Sequence, residues 1–267
     1  MLRTLTGLLM LLAALVPWLA RADAAAPRFV TVPGGHFVGS LLDGTRTVTV
    51  RMAHFAMMEE PVTEAQFAAF LRAHPEWQRG RIAPLFAGPN YLAGWLTPTD
   101  PGDAQAARRP VTAVSWFAAR AYCNSLHAEL PSWHQWEYAA AASSSSRDAR
   151  ANMIRRNAIL AALMRATGQR PGLIGQRPAN VYGLRDLNRL IWEWVSDYGA
   201  MFPDVNGDVG SAGSGSVLRL CGGAALAFRD PSDHALAERV AALSMLAPAD
   251  SSPFVGFRCV RKPGDTP

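Results

Sequence analysis

Beyond its leader, this chain never holds one hydrophobic period for long. A few helical stripes, each opened by a capping residue, alternate with short β-like runs and with connections rich in glycine and proline. There is no internal repeat, and no segment after the leader has eighteen consecutive apolar residues, which excludes a repeat array and a spanning helix in the mature chain. Val30 to Val38 and Thr45 to Met52 read as strands, because β-branched and polar residues alternate and Pro33-Gly34-Gly35 and Asp43-Gly44 supply turns. Thr63 and Gln66 form a capping box ahead of the stripe Phe67, Phe70, Leu71, and Pro75 stops it. Ser115 caps a second helix with Trp116, Ala119, Tyr122, Cys123 and Leu126 near one face. Ser132 and Gln135 cap a third, whose Trp136, Ala139 and Ala140 face inward, and Ser143 to Ser146 ends it. Asp148 to Ala166 reads as a fourth helix closed by Gly168. After Pro171 the pattern turns to short strands and loops, with a glycine-serine tip at Gly210 to Ser216. The segment from Glu76 to Pro110 is a long irregular connection carrying Trp77, Phe86, Tyr91 and Trp95. The fold class that follows is α+β, a single loop-rich domain with short strands and about four helices.

Composition narrows the class further. Of the 267 residues 49% are apolar and 18% charged, enough for a sizeable core, and 22 glycines with 19 prolines exclude a collagen-like or low-complexity chain. Three cysteines are too few for a disulfide-built miniprotein. The formal charge is +5, yet Lys262 is the only lysine among 26 basic residues and no arginine run exceeds two. Scattered charge of this kind predicts a solvated arginine-rich surface and no nucleic-acid partner, which would need clustering on one face.

The first residues read as an address. Arg3 precedes the apolar stretch Gly7 to Ala20, which Pro17 interrupts, and Ala22-Asp23-Ala24 offers a small-residue cleavage site. Residues 1–24 are therefore expected to be a secretory signal peptide, and 25–267 the mature domain; an uncleaved anchor is the alternative. The mature protein is expected outside the cytoplasm, in the periplasm of a Gram-negative cell, free of the membrane and able to form disulfides.

Several segments in one order carry a family resemblance: VPGGHFVGS (32–40), PVTEAQFAAF (61–70), RPVTAVSWFAARAYCNSLHAELPSWHQWEYAAA (109–141), NVYGLRDLNRLIWEWVSD (180–197), CGGAAL (221–226) and GFRCVR (256–261). Together they resemble the formylglycine-generating enzyme, or sulfatase-modifying factor, superfamily over essentially the whole mature chain. The resemblance implies one compact domain distantly like C-type lectins. It also implies a Cys123–Cys259 disulfide and a calcium site at Asp186, the carbonyls of Arg189 and Ile191, and Glu193, an oxygen-only set suited to calcium. Trp192 and Trp194 alternate around Glu193, so an extended segment would put both indoles on one face and the carboxylate on the other. Arg189-Leu190 replaces the family's Gly-Asn, and Glu193 paired with an arginine is the competing reading.

The family's oxidative chemistry rests on two cysteines after the Gly-Gly strand, where thiolates bind monovalent copper. Counted from Gly222-Gly223, those places fall at Ala227 and Ser232, neither of which can supply a thiolate. Copper and formylglycine generation are therefore not expected, unless Cys221 has taken over alone; inert burial is its other reading. Arg229, Asp230, Asp233 and His234, with Trp192 and Cys221, form the candidate cleft, against the alternative of a solvated polar loop. Asp204 to Asp208 fails as an EF-hand because position twelve is Gly215; no H-E-x-x-H or three-histidine pattern occurs, and Gly213-Ser214-Gly215 is no nucleophile elbow.

Three functions are compatible with this reading. The first is an accessory or maturation factor for a periplasmic redox system, since CGGAAL, the helical insert after WEYAAAA and the leader resemble the branch associated with copper nitrite reductase. The second is a periplasmic oxidase or tailoring enzyme of altered chemistry acting on a peptide, and the third a lectin-like binding module.

Overall fold

The computed structural model describes residues 25–43, 46–166, 170–197 and 228–262. The leader, Asp43-Gly44 beyond the backbone of Asp43, Gly168, and the whole of 198–227 lie outside the described residues, and with them the EF-hand-like run, the glycine-serine tip, Cys221 and Ala227.

The N-terminal β-unit opens with β1 (Phe29–Val32) and β2 (Gly35–Asp43), followed by β3 (Arg46–Met52) and β4 (Phe55–Met58). The stretch Val30 to Val38 divides between β1 and β2 at Pro33-Gly34, where the sequence places a turn. A Cβ on Gly34 would lie 2.5 Å from the Met52 carbonyl, so only glycine lets the chain turn there. β2 and β3 form an antiparallel hairpin with a register irregularity between Val38 and Leu42. β1 pairs with β4, and β4 with the C-terminal β7 (Val260–Arg261), giving a sheet of order β1-β4-β7.

Helices α1 (Glu64–Ala73), α2 (Trp116–Ser125) and α3 (Trp133–Ala141) begin where their caps dictate. Thr63 and Ser132 each form a reciprocal capping box with Gln66 and Gln135, and the Ser115 hydroxyl accepts from the Ala118 amide. α4 spans Met153–Ala166, shorter than expected, since Asp148 and its neighbours make side-chain turns ahead of it. A fifth helix, α5 (His234–Ser244), corrects the expectation of strands and loops after Pro171. Its signal was present: the Asp233 side chain accepts from the Leu236 amide as N-cap, and Ala235, Arg239, Val240 and Leu243 recur at helical spacing on the buried face. Among the described residues no helix is long and apolar enough to cross a membrane.

Two hydrophobic cores meet at α3. Trp133, Trp136 and Ala140 pack with α1, α2, Trp192 and Trp194, whereas Tyr138, Ala139 and Ala141 pack with β1, β4 and the hairpin. A helix buried on both sides cannot show a clean amphipathic stripe, which fits its run of alanines beyond the tryptophans. The connection from Glu76 to Pro110 is irregular apart from two 3₁₀ turns, but Tyr91 and Trp95 are core residues, and the Tyr91 hydroxyl donates to the Trp77 carbonyl at 2.9 Å.

The C-terminal segment threads this assembly together. β6 (Val255–Gly256) pairs in parallel with β5 (Trp192–Glu193), the Val62 amide donates to the Phe257 carbonyl, and the Met58 amide to that of Cys259. A Cβ at Gly256 would meet the Val111 carbonyl oxygen at 2.2 Å. Cys123 on α2 is bonded to Cys259, with Cα atoms 5.6 Å apart and a sequence separation of 136. Closing so long a loop removes about 4–5 kcal/mol of denatured-chain entropy. Cys123→Ser with Cys259→Ser is therefore expected to destabilise the fold by roughly 3–5 kcal/mol in urea unfolding, and Gly256→Ala by about 1–3 kcal/mol through overpacking against rigid backbone.

A candidate cleft built on buried arginines

The buried carboxylate of Glu193 is the electrostatic centre of the molecule. Both of its oxygens accept from Arg258, Oε2 from Nε and Oε1 from Nη2, each at 2.9 Å, and Oε2 also accepts the Trp136 indole N–H at 2.9 Å. Arg258 has no exposed surface, and its remaining N–H groups go to the carbonyls of Met58, Glu59 and Arg185 at 2.9–3.1 Å. All five of its donors are satisfied, the condition under which a buried guanidinium is tolerated.

A second arginine approaches the same strand from α5. Arg239 lies flat on Trp136, its guanidinium carbon 3.4 Å from the ring centroid, and donates to the Glu193 carbonyl at 2.8 Å. Burial, opposed by the Glu193 charge, brings its pKa down to about 9, so it is still a cation at neutral pH. Its Nε has no hydrogen-bond partner. One carboxylate thus serves two guanidiniums, and the indole faces supply part of the compensation.

Beside this centre is a cavity of about 50 Å³ between α3, the turn leading into α4, and α5. That volume suits a few water molecules. Glu137 forms one wall: its Oε1 accepts from the Ser40 amide at 2.8 Å and from Arg150 at 3.2 Å, while Oε2 has no partner, and burial pushes its carboxyl above the usual range. Arg150 is itself clamped by Asp148 and packs over Phe37. On the opposite wall Arg156 donates to Asp230 Oδ2 at 2.6 Å and to the Ser232 hydroxyl at 3.1 Å, with Asp233 3.6 Å away. Ser232 in turn donates to Asp230 Oδ1 at 2.6 Å. The Ser232 hydroxyl, with help from Arg156, lowers Asp230 to about 2.

The residues singled out in the sequence distribute as follows. Trp192 and Asp233 line the cavity, and Asp230 joins it through Arg156. Arg229 and His234 are exposed and point to no cavity wall. Asp186 accepts the Gly175 amide at 2.6 Å and is not among the residues lining this cavity. The proposed calcium donors do not fit a divalent cation as arranged: an ion at Glu193 would have to displace a guanidinium that is fully bonded. Among the described residues no group of three histidine, cysteine or acidic side chains converges to hold a metal. Arg258, Arg239, Arg156 and Glu137 escaped the sequence reading. An arginine within GFRCVR reads as surface, and the only hint at Glu137 was a charged residue amid WEYAAA.

A small α+β domain whose buried tryptophans surround a guanidinium–carboxylate core, fastened by its C-terminal segment, defines a class of loop-rich domains. The model for the sulfatase-modifying factor enzyme 1-like domain matches residues 18–263, so the chain belongs to the formylglycine-generating sulfatase-modifying family. It is 29% identical to the formylglycine-generating enzyme of Streptomyces coelicolor, over 88% of this chain and 91% of that protein. It is 26% identical to the inactive C-alpha-formylglycine-generating enzyme 2 of Bos taurus, over 94% of this chain and 93% of that one. Among solved structures, CarF superposes with a TM-score of 0.53 at 19% identity, over 89% of this chain and 98% of its own, a likeness of fold.

Two outcomes follow from the geometry. Glu193→Gln leaves Arg258 without its counter-charge and should cost about 3–5 kcal/mol in chemical denaturation. The depressed Asp230 pKa contributes stability that is complete above its ordinary value of 3.8 and is lost as pH falls through about 2. The stability gap between wild type and Asp230→Asn, followed by thermal unfolding, should hold steady above that range and close within it.

Proposed function

We propose that the protein is an exported, non-oxidising member of this family that acts as an accessory or maturation factor for a redox enzyme outside the cytoplasm, of the kind found with copper nitrite reductase. One observation carries the reading. At Ser232, where the second copper-binding thiolate would lie, a hydroxyl is tied to Asp230 and Arg156 in a charged network beside the cleft. A serine hydroxyl is a hard, protonated oxygen and no ligand for monovalent copper. Ala227, at the other position, carries only a methyl group. Similarity to a relative named as inactive, over nearly the whole chain, supports the same view.

In place of calcium, Arg258 provides the positive charge that Glu193 needs, so the domain is proposed to fold without the ion. The leader supports export, and the Cys123–Cys259 bond is in keeping with an oxidising compartment.

A second reading, a tailoring enzyme that acts on a peptide, is favoured by Glu137, whose unpartnered Oε2 and raised pKa beside the cavity suit a group that holds and delivers a proton. Oxygen uptake with periplasmic peptides, lost in Glu137→Gln, would establish it over the first.

The primary test is aerobic incubation of the mature chain with copper(I) and a cysteine-containing peptide. No thiol-to-aldehyde conversion is expected by mass spectrometry, and its appearance would overturn the non-oxidising assignment. Deleting the gene should lower the activity of the client redox enzyme while its protein level holds. Calcium or a chelator should leave the melting temperature of the purified domain unchanged.

A further inference from the structure

Outside the cleft, across α4, lies a groove of different character. The loop 172–180 and the loop 185–190 face one another along it. They are pinned together by the Gly175 amide, which donates to Asp186, and by Arg185, which donates to the Arg177 carbonyl at 2.8 Å. The groove consists of two adjoining cavities of about 420 and 290 Å³, and Arg177, Arg189 and Asp186 line both.

Neither the Arg177 nor the Arg189 side chain makes a hydrogen bond or an ion pair with any described residue. Arg155, on the wall of the larger cavity, donates to the carbonyls of Ala140 and Ala142 and has no carboxylate within ion-pair distance among the described residues. Among the described lining residues of either cavity Asp186 is the sole acid, and its Oδ2 is already committed to Gly175. Burial and repulsion from Arg177 weaken the charged form of Arg189, and burial with repulsion from Arg189 does the same to Arg155. A merely solvated arginine surface would let such side chains swing apart; here two pinned loops hold them on one groove with no counter-ion among the described residues.

We propose that this groove docks an acidic polypeptide segment, with carboxylates held by Arg177 and Arg189 and apolar side chains against Ile154. The shape favours a peptide over a single small anion. Positive charge is spread along two connected cavities, and the rim carries Ile154, 83% exposed, beside Leu187 and Pro178. Arginine forks match carboxylates in pairs, which gives such a segment direction as well as affinity. This names the partner chemistry of the accessory role and rests on that role only for the source of the segment.

The groove can be tested apart from the cleft. A fluorescein-labelled oligoglutamate peptide is titrated with the mature chain by fluorescence anisotropy, with an oligoglutamine peptide as the neutral control. Binding of the acidic peptide alone is expected, weakening as salt rises and at least about ten-fold weaker in Arg177→Gln with Arg189→Gln. Those side chains bond to nothing described, so the double variant should fold as wild type by circular dichroism, and Arg51→Gln, exposed on β3, should bind normally. No binding, equal binding of the neutral peptide, or full affinity in the double variant would overturn the proposal. Inorganic phosphate displacing the peptide at similar concentration would also overturn it, in favour of a small-anion pocket. Aldehyde formation in the copper test would remove the non-oxidising reading and leave the groove standing, and failed peptide binding would do the reverse.

Discussion

The Arg258–Glu193 pair holds together parts of the chain that no short-range rule connects. Glu193 is on a two-residue strand, Arg258 is in the closing segment, and the guanidinium also binds carbonyls from β4, from Glu59 and from Arg185. Desolvating two charges costs several kcal/mol per ion, and mutual attraction offsets this only when every donor and acceptor is used. That condition is met at Arg258. The pair therefore contributes less to net stability than to register: a shift of the C-terminal segment by one residue would replace Arg258 with Phe257 or Cys259 and leave Glu193 charged and alone.

The same logic accounts for a basic chain with a single lysine. Arginine is planar, donates in a fixed fork and stacks on aromatic faces, whereas an ammonium group does none of these. Arg239 on Trp136, Arg150 on Phe37 and Arg261 on Phe29 use the faces of rings, while Arg155 and Arg258 use the fork to close backbone carbonyls. A scattered charge that looked like surface solvation is therefore in part internal architecture. Desolvation lowers the pKa of Arg239 to about 9 without removing the charge at neutral pH, so the interior remains cationic and must be fitted around that fact.

What could be read from the sequence follows the range of the interaction responsible. The helix starts at Thr63, Ser115 and Ser132 were legible because each cap acts within three residues of its own backbone. β4 was not, and β5 to β7 were legible only as short strands somewhere after Pro171, since two to four residues carry no period and their pairing is decided by partners up to two hundred residues away. The helix α5 was legible in principle, from Asp233 and the spacing of Ala235, Val240 and Leu243, but the polar run just before it drew the reading toward a loop. The disulfide became legible only through resemblance to a family, because three cysteines alone leave the pairing open.

The cleft and the groove are not independent surfaces. Arg155 lines both, and its neighbour Arg156 carries the ion pairs to Asp230 and Asp233 that tether the start of α5 to α4. Consecutive residues on a helix point about 100° apart, so one turn of α4 presents a guanidinium to each side. The tether between α4 and the start of α5 is Arg156 with Ser232 and two aspartates, and α4 is itself held by the carbonyls of Ala140 and Ala142 through Arg155. A domain built in this way is braced by charge between its helices. Arg177 and Arg189, by contrast, line the groove with no counter-charge among the described residues.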